Sequence, residues 1–339
     1  MRKETFPMLS IFSIILFLFP IHIAFIKIKN FLYDNNIINP TNIDTKVISI
    51  GNISLGGAGK TPFVIALSNF LKNQRGFSVG VVTRGYGRKN SHHNFLFDSH
   101  SWQDCGDETV VLTNNLSSSI PVYISKNKIL GSKELSKLGC DIIILDDAFQ
   151  HRKLGRDIDI VLLSPDELET KNQRTFPWGS LREPFYNLRR ADIVITTKMN
   201  LYNSQRPLRN SLPLDTSFQE ELLSSDGVAK TTTKQLSKLQ NVMSLCGIGK
   251  PESFQSSLKS LNVYVKKHLT YSDHHNFNKK DVSTILAHIK QYNIGSIVCT
   301  EKDWVKLVNF KEEIGIPIYA IRLNYCLNKD IEGAILCLL

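Results

Sequence analysis

One feature constrains this chain more than any other: a short apolar strand pattern that runs directly into a glycine-rich loop ending in Gly-Lys-Thr. Lys46-Val-Ile-Ser-Ile50 is followed by Gly51-Asn-Ile-Ser-Leu-Gly-Gly-Ala-Gly-Lys-Thr61, and a helical pattern continues to about Lys72. Strand, loop and helix in that order form a phosphate cradle. Glycines let backbone N–H groups approach phosphate oxygens, and the helix N-terminus adds the positive end of its dipole. Ser54, Leu55, Gly56, Gly57, Ala58, Gly59, Lys60 and Thr61 are the expected nucleotide-binding residues. Lys60 would neutralise the β and γ phosphates, and the Thr61 hydroxyl would face Mg²⁺. The P-loop pattern asks for a further glycine five positions before Gly59, and Ser54 stands there.

Such a loop needs an acidic metal partner at the end of a neighbouring strand. Asp141-Ile-Ile-Ile-Leu-Asp146-Asp147 supplies one, with two aspartates at the carboxyl end of a buried run. Asp146 or Asp147 would hold Mg²⁺ or its water. Further strand patterns fall at 78–82, 157–163 and 192–196, separated by helical stretches. That alternation predicts an α/β fold with a mostly parallel sheet, P-loop NTPase-like, covered on both faces. A polar stretch at 201–240 carries a turn at Ser224-Ser-Asp-Gly227 and reads as a two-stranded hairpin hinge. A second, smaller α/β unit follows, with strands expected at 242–246, 296–300 and 316–321. The expected division is an N-terminal membrane-anchoring helix at 1–32, a P-loop kinase core at 33–212, a hinge at 213–240 and a C-terminal α/β domain at 241–339.

The N-terminal segment brings in a membrane. From Thr5 to Ile26 there is no charged residue, a length that suits a hydrocarbon core of about 30 Å. Arg2, Lys3, Lys27 and Lys29 flank it. Its readings are a secretory signal peptide, a spanning helix kinked at Pro20 or a helix lying in the interface; the run is long and no small-residue cleavage site follows it, which favours membrane attachment over cleavage. An ATP site then places the catalytic domains on the cytoplasmic side of the inner membrane. The net charge of +10 suits an anionic membrane face, a phosphorylated substrate or nucleic acid. No RNA-binding aromatic motif, zinc-finger spacing or concentrated basic helix is present, so nucleic acid is not an expected partner. No segment points to an obligate protein partner. The six cysteines include no C-x-x-C pair and read as buried free thiols.

P-loop motifs alone specify only an NTPase. The wider set is sharper: Val47–Pro62, Thr83-Arg-Gly-Tyr-Gly-Arg88, Gly106-Asp-Glu108, Asp146-Asp-Ala-Phe-Gln-His-Arg152, Pro177-Trp-Gly-Ser-Leu-Arg-Glu-Pro184, Cys246-Gly-Ile-Gly-Lys-Pro251, Asp273-His-His-Asn-Phe277 and Thr300-Glu-Lys-Asp303. Together, over about residues 6–305, they resemble the tetraacyldisaccharide 4'-kinase family, membrane segment included. The family pattern has glycine where Ala148 stands, and a methyl group fits there if the backbone angle is ordinary. The resemblance implies two lobes joined by a two-stranded hinge. It implies transfer of the ATP γ-phosphate to the 4'-hydroxyl of tetraacyldisaccharide 1-phosphate, a membrane lipid, giving lipid IVA.

It assigns the catalytic base to Asp107, with His274, the histidine directly after Asp273, as its dyad partner. Glu108 would assist the metal. Arg84, Arg88, Arg152 and Arg182 are candidate phosphate contacts. Trp178, Phe185 and Tyr186 are candidate interfacial residues, and Thr300–Asp303 a candidate nucleobase loop. The competing reading is a membrane-tethered P-loop ATPase or GTPase acting as a switch or metallochaperone, which needs neither Asp107 nor His274.

Overall fold

A computed structural model describes residues 23–89, 93–98, 101–168, 173–176, 178–201, 207–225 and 232–339. Helix α1 covers residues 23–34. Next come β1 (Lys46–Gly51), α2 (Lys60–Arg75), β2 (Val79–Thr83), β3 (Phe95–Leu96), α3 (Trp102–Cys105) and α4 (Asp107–Asn115). The chain continues through β4 (Val122–Ile124), α5 (Lys128–Lys137), β5 (Ile142–Asp146), β6 (Ile158–Leu163), β7 (Ile193–Thr197) and β8 (Leu212–Leu214). Two short strands, β9 (Ser217–Phe218) and β10 (Leu223–Ser224), lead out of this unit. The second unit holds α6 (Thr233–Leu236), β11 (Val242–Cys246), α7 (Pro251–Ser260), β12 (Val265–Thr270), α8 (Lys279–Tyr292), β13 (Ser296–Thr300), α9 (Glu301–Leu307), α10 (Lys311–Ile314) and β14 (Ile318–Ile321). β15 (Leu323–Asn324) and α11 (Lys329–Leu338) end the chain.

The large sheet has eight strands in the order β3-β4-β2-β5-β1-β6-β7-β8, parallel except at β3–β4. Its central strands are buried along nearly their whole length because helices cover both faces. Alternate residues of β1 feed opposite cores: Ile48 and Ile50 pack with Phe63, Leu67 and Leu71 of α2, while Val47 packs with Val82, Leu135 and Ile143. Each such fully buried branched or aromatic side chain contributes roughly 1.5–3 kcal/mol. The small sheet runs β10-β14-β13-β11-β12, parallel except at β10–β14.

One expectation is extended and one corrected. The segments expected to form a hairpin about 224–227 meet in an antiparallel bridge between Glu221 and Thr232, with the Thr233 amide donating to the Glu220 carbonyl (2.9 Å), and the turn itself falls partly outside the described residues. In addition β9 pairs antiparallel with β15, Phe218 opposite Leu323, so the outgoing and returning crossings between lobes also form a ribbon. The small lobe does not run to residue 339. Tyr325, Ile331 and Ile335 join the large-sheet core, and α11 packs there. Among the cysteines, which are all free, Cys326 and Cys337 are exposed, unlike the buried other four.

Of the apolar N-terminal run, residues 1–22 lie outside the described residues. Among the described residues no helix is long and apolar enough to cross a membrane. Arg152 anchors α1 to the large lobe, donating to Asp34 Oδ1 (2.7 Å) and to the Asn30 carbonyl (3.2 Å), with its guanidinium over the Tyr33 ring. Lys29 points inward and donates to the Gln150 carbonyl (2.8 Å). Phe25, Ile28 and Phe31 are left exposed, at helical spacing along one side of α1.

Candidate active site

The glycine loop leaves the centre of the large sheet, where β1 lies between β5 and β6. Its shape is set by buried side chains as well as glycines. Asn52 donates to the Ser54 carbonyl and hydroxyl (both 3.0 Å), and Lys60 Nζ donates to Asn52 Oδ1 (3.0 Å). Ser54, where the usual pattern has glycine, is fully buried and donates to Glu167 Oε1 (2.6 Å). Leu55 is exposed at the loop tip, and Ala58 is buried beneath it, its carbonyl accepting from Thr197 Oγ1 (3.0 Å). Gly59 caps α2 at φ 83°, and a Cβ there would lie 2.2 Å from the Tyr325 hydroxyl. Gly56 and Gly57 form the crown, and Thr61 opens the first turn of α2 half-buried.

β5 places the aspartates. Asp146 stands in register with Ile50, the residue that enters the loop. Its Oδ2 accepts from Thr83 Oγ1 (3.1 Å), its carbonyl accepts from Lys128, and its buried Oδ1 has no partner. Burial, reinforced by the charge of Glu108, pushes its carboxyl up to about 6. Asp147 is engaged instead: Arg182 donates to Oδ1 (3.0 Å) and Oδ2 (3.1 Å), and Lys60 lies 3.3 Å away. Burial opposes its ionisation, but Lys60 and Arg182 hold the carboxyl well below the usual range. Among the described residues no three His, Cys, Asp or Glu side chains converge on a metal position. That donor set fits Mg²⁺, which keeps several waters and takes one or two carboxylates plus substrate phosphates. An orphaned, desolvated oxygen on Asp146 fits the same ion.

The raised Asp146 carboxyl yields a stability prediction. A folded-state pKa near 6, above the ordinary carboxylate value, means the native state binds the extra proton between about pH 4 and 6. Its contribution to stability is therefore present at low pH and lost as pH rises through 6, at a cost of roughly 3 kcal/mol above it. Asp146→Asn is expected to raise the ligand-free Tm by about 5 °C at pH 8 and hardly at all at pH 4. Thermal melts of the two proteins at the two pH values check this.

The second cluster spans the lobes. Gly106, at φ 92°, reverses the chain between α3 and α4, and a Cβ there would lie 2.3 Å from the Tyr86 carbonyl. Asp107 then opens α4, buried. On the small lobe His274 follows β12, its amide donating to the Gly247 carbonyl (3.2 Å). His274 Nδ1 lies 3.0 and 3.2 Å from the Asp107 oxygens, and the imidazole leans on the Tyr86 ring at 4.5 Å. Lys302 Nζ sits 3.0 Å from Nε2, 3.1 Å from Glu108 Oε1 and 3.2 Å from Asp273 Oδ1. An ammonium only donates, so Nε2 accepts and Nδ1–H donates to Asp107. Lys306, almost fully buried, donates to Asp107 Oδ2 (2.8 Å). Burial opposes ionisation of Asp107, but the His274 hydrogen bond and the charges of Lys302 and Lys306 keep its carboxyl far below the ordinary range.

Backbone strain marks the same place. Among the described residues eight non-glycine positions have positive φ, and five are asparagines, which tolerate it. The other three, Asp147, Lys198 and His274, all belong to this site, where such strain persists only because surroundings fix it.

The structure brings together the expected loop, Asp146–Asp147 and Asp107–Glu108–His274. His275 turns away to Asp281 (2.9 Å). Ala148 has an ordinary negative φ, so its methyl is accommodated. Arg182 reaches the site through Asp147, whereas Arg152 holds α1. In the Thr300–Asp303 segment Asp303 accepts from the Gly247 amide (3.0 Å) and Lys302 contacts His274, so the segment supports the dyad. Sequence reading missed Lys198, Lys250, Lys302 and Lys306. Only Lys250 and Lys302 lay inside a quoted motif.

A mostly parallel sheet with a glycine loop at its centre, and a carboxylate–imidazole pair formed between its own lobe and the opposite one, defines a two-lobed P-loop kinase. The family model for Tetraacyldisaccharide-1-P 4'-kinase matches residues 11–339. The tetraacyldisaccharide 4'-kinase of Syntrophus aciditrophicus (strain SB) is 33% identical, over 93% of this chain and 88% of that protein. That of Koribacter versatilis (strain Ellin345) is 31% identical, over 92% and 94%. A crystal structure of the Aquifex aeolicus enzyme, LpxK, in complex with ATP superposes with a TM-score of 0.72 at 27% identity, covering 96% of this chain and 98% of that one. The chain belongs to the tetraacyldisaccharide 4'-kinase family, phosphotransferases that act on a hydroxyl.

Proposed function

We propose that this chain transfers the γ-phosphate of ATP to the 4'-hydroxyl of tetraacyldisaccharide 1-phosphate, forming lipid IVA at the cytoplasmic face of the inner membrane. The observation that carries the reading is the Asp107–His274 pair, built from opposite lobes and absent from the requirements of a simple ATPase switch. The loop amides of residues 54–61 and Lys60 grip the triphosphate. Asp147, with Lys60 and Arg182, keeps those charges in place. Asp146, Thr61 and Glu108 would hold Mg²⁺, which supplies charge neutralisation between the β and γ phosphates.

Asp107 accepts the hydroxyl proton. A carboxylate held so far below its ordinary range is a weak base, so it takes the proton late, once the oxygen has begun bonding to phosphorus. The Nδ1–H of His274 orients it. The acceptor lies in a bilayer, and the exposed Phe25, Ile28 and Phe31 of α1 with Phe176, Trp178 and Tyr186 offer an apolar surface to it.

The purified protein with radiolabelled ATP and a panel of lipid and soluble acceptors tests this. Turnover is expected to rise sharply only with the acylated glucosamine disaccharide 1-phosphate. Strong hydrolysis without acceptor would favour the switch reading instead.

A further inference from the structure

The Cys246–Pro251 motif lies outside the mechanism above, yet it touches the phosphate loop. Lys250 precedes α7 of the small lobe, and its ammonium crosses to the large lobe. There it donates to Ser164 Oγ (3.0 Å), Asp166 Oδ2 (2.8 Å) and Glu167 Oε1 (2.8 Å). Glu167 Oε1 is the same atom that accepts from Ser54 of the loop (2.6 Å), and Glu167 is fully buried. The Lys250 stem lies along the loop crown, its Cε 3.1 Å from where a Gly56 Cβ would be. Gly249 packs on Gly56 as well: a Cβ at Gly249 would lie 3.5 Å from the Gly56 Cα. A second lysine stitches the same seam. Lys198, from the large lobe, donates to the Gly57 carbonyl (2.7 Å) and to Ser253 Oγ of α7 (2.9 Å).

We propose that Lys250 is a positioning residue that makes the nucleotide grip depend on lobe closure: delivered by the small lobe, it holds Glu167, which holds Ser54 and so fixes the crown of the loop. Ser54 stands where a P-loop usually has glycine, and its hydroxyl is what lets a side chain of the other lobe reach the loop. The ammonium is committed to carboxylates and a hydroxyl, so its effect falls on the loop's shape and not on the transferred phosphate. When the lobes part, the loop loses this brace, and nucleotide affinity falls with it. This inference rests on the reading of the loop as an ATP site.

The test is calorimetric binding of the magnesium complex of a non-hydrolysable ATP analogue to the detergent-solubilised full-length protein, with steady-state kinetics alongside. Wild type is expected to bind, and failure to bind would remove the ATP reading itself. Lys250→Met is expected to weaken binding about tenfold, the effect of losing one well-placed ionic contact. KM for ATP should rise in parallel while kcat stays within about threefold, and Lys250→Arg should recover most of the loss.

Since Lys250→Met leaves the buried Glu167 without its cation, the Lys250→Met/Glu167→Gln double variant removes both charges and should show the same weak binding. Ser54→Ala combined with Lys250→Met should cost little more than either alone, because all act through one chain of contacts. Wild-type affinity in a folded Lys250→Met or double variant would overturn the proposal. So would strictly additive effects, or a collapse of kcat at unchanged affinity, which would place Lys250 on the phosphate in the transition state.

Discussion

Asp107→Asn is expected to lower kcat by about a thousandfold, with KM for ATP and for the lipid acceptor changing by less than about threefold. An amide keeps the shape and one acceptor oxygen, so the contact from His274 Nδ1–H survives, but it cannot take the hydroxyl proton. The substitution removes an interaction needed only as the proton leaves, and therefore acts on kcat. Fold must be controlled for, because Lys306 is 1% exposed and pairs with Asp107 at 2.8 Å. Leaving that ammonium unpaired costs about 3–5 kcal/mol. Asp107→Asn/Lys306→Met removes both charges and restores a neutral interior. It is expected to melt near wild type and remain inactive. Steady-state rates and thermal melts of the two variants decide the matter. A folded Asp107→Asn protein that turns over at a near wild-type rate would remove the base assignment.

The parts legible in the sequence are those whose chemistry is local. The phosphate loop, the strand before it and the helix after it occupy neighbouring positions, and the pattern of β5 ending in Asp146–Asp147 follows from four apolar residues and a turn. Asp107 and His274 are different. They stand 167 residues apart, and nothing in the residues themselves joins them. Only the family resemblance paired them. The lysines lie further out of reach: Lys306 meets Asp107 across 199 residues, Lys302 meets Glu108 across 194, and Lys198 meets Gly57 across 141. A lysine in a polar or amphipathic stretch looks the same whether its amine ends in water or on a buried carboxylate. The hinge is legible only in its local part. The turn signal at 224–227 points to the two segments that meet at the Glu221–Thr232 bridge, but nothing local announces that β9 pairs with β15, more than a hundred residues later. Ile331 and Ile335 are spaced for a buried helix stripe, and that spacing carries no information about which of two cores receives it.

Lys60→Met is expected to reduce kcat for ATP by roughly a hundred- to a thousandfold, and here the structure predicts only a small loss of stability, about 1–3 kcal/mol. Without nucleotide the Lys60 ammonium rests on Asn52 Oδ1 (3.0 Å) and beside Asp147 (3.3 Å). Asp147 keeps Arg182 at 3.0 Å when Lys60 is gone, and its side chain is 36% exposed, so no charge is stranded. Asn52 keeps its donor contacts to Ser54, and only its buried Oδ1 loses a partner, at about 1–3 kcal/mol. The main cost therefore falls on the phosphates, whose charge shifts as the γ-phosphoryl group leaves, and the lysine matters most at that moment. Arginine should not rescue the defect, because a planar fork cannot occupy the compact position at the first turn of α2.

Titration of Lys60→Met with the analogue, beside its turnover, separates the two lysines of the loop. Lys60 should act mainly on kcat and Lys250 mainly on affinity. The opposite pattern would mean that Lys60 shapes the resting loop, while the cation facing the transition state comes from the small lobe.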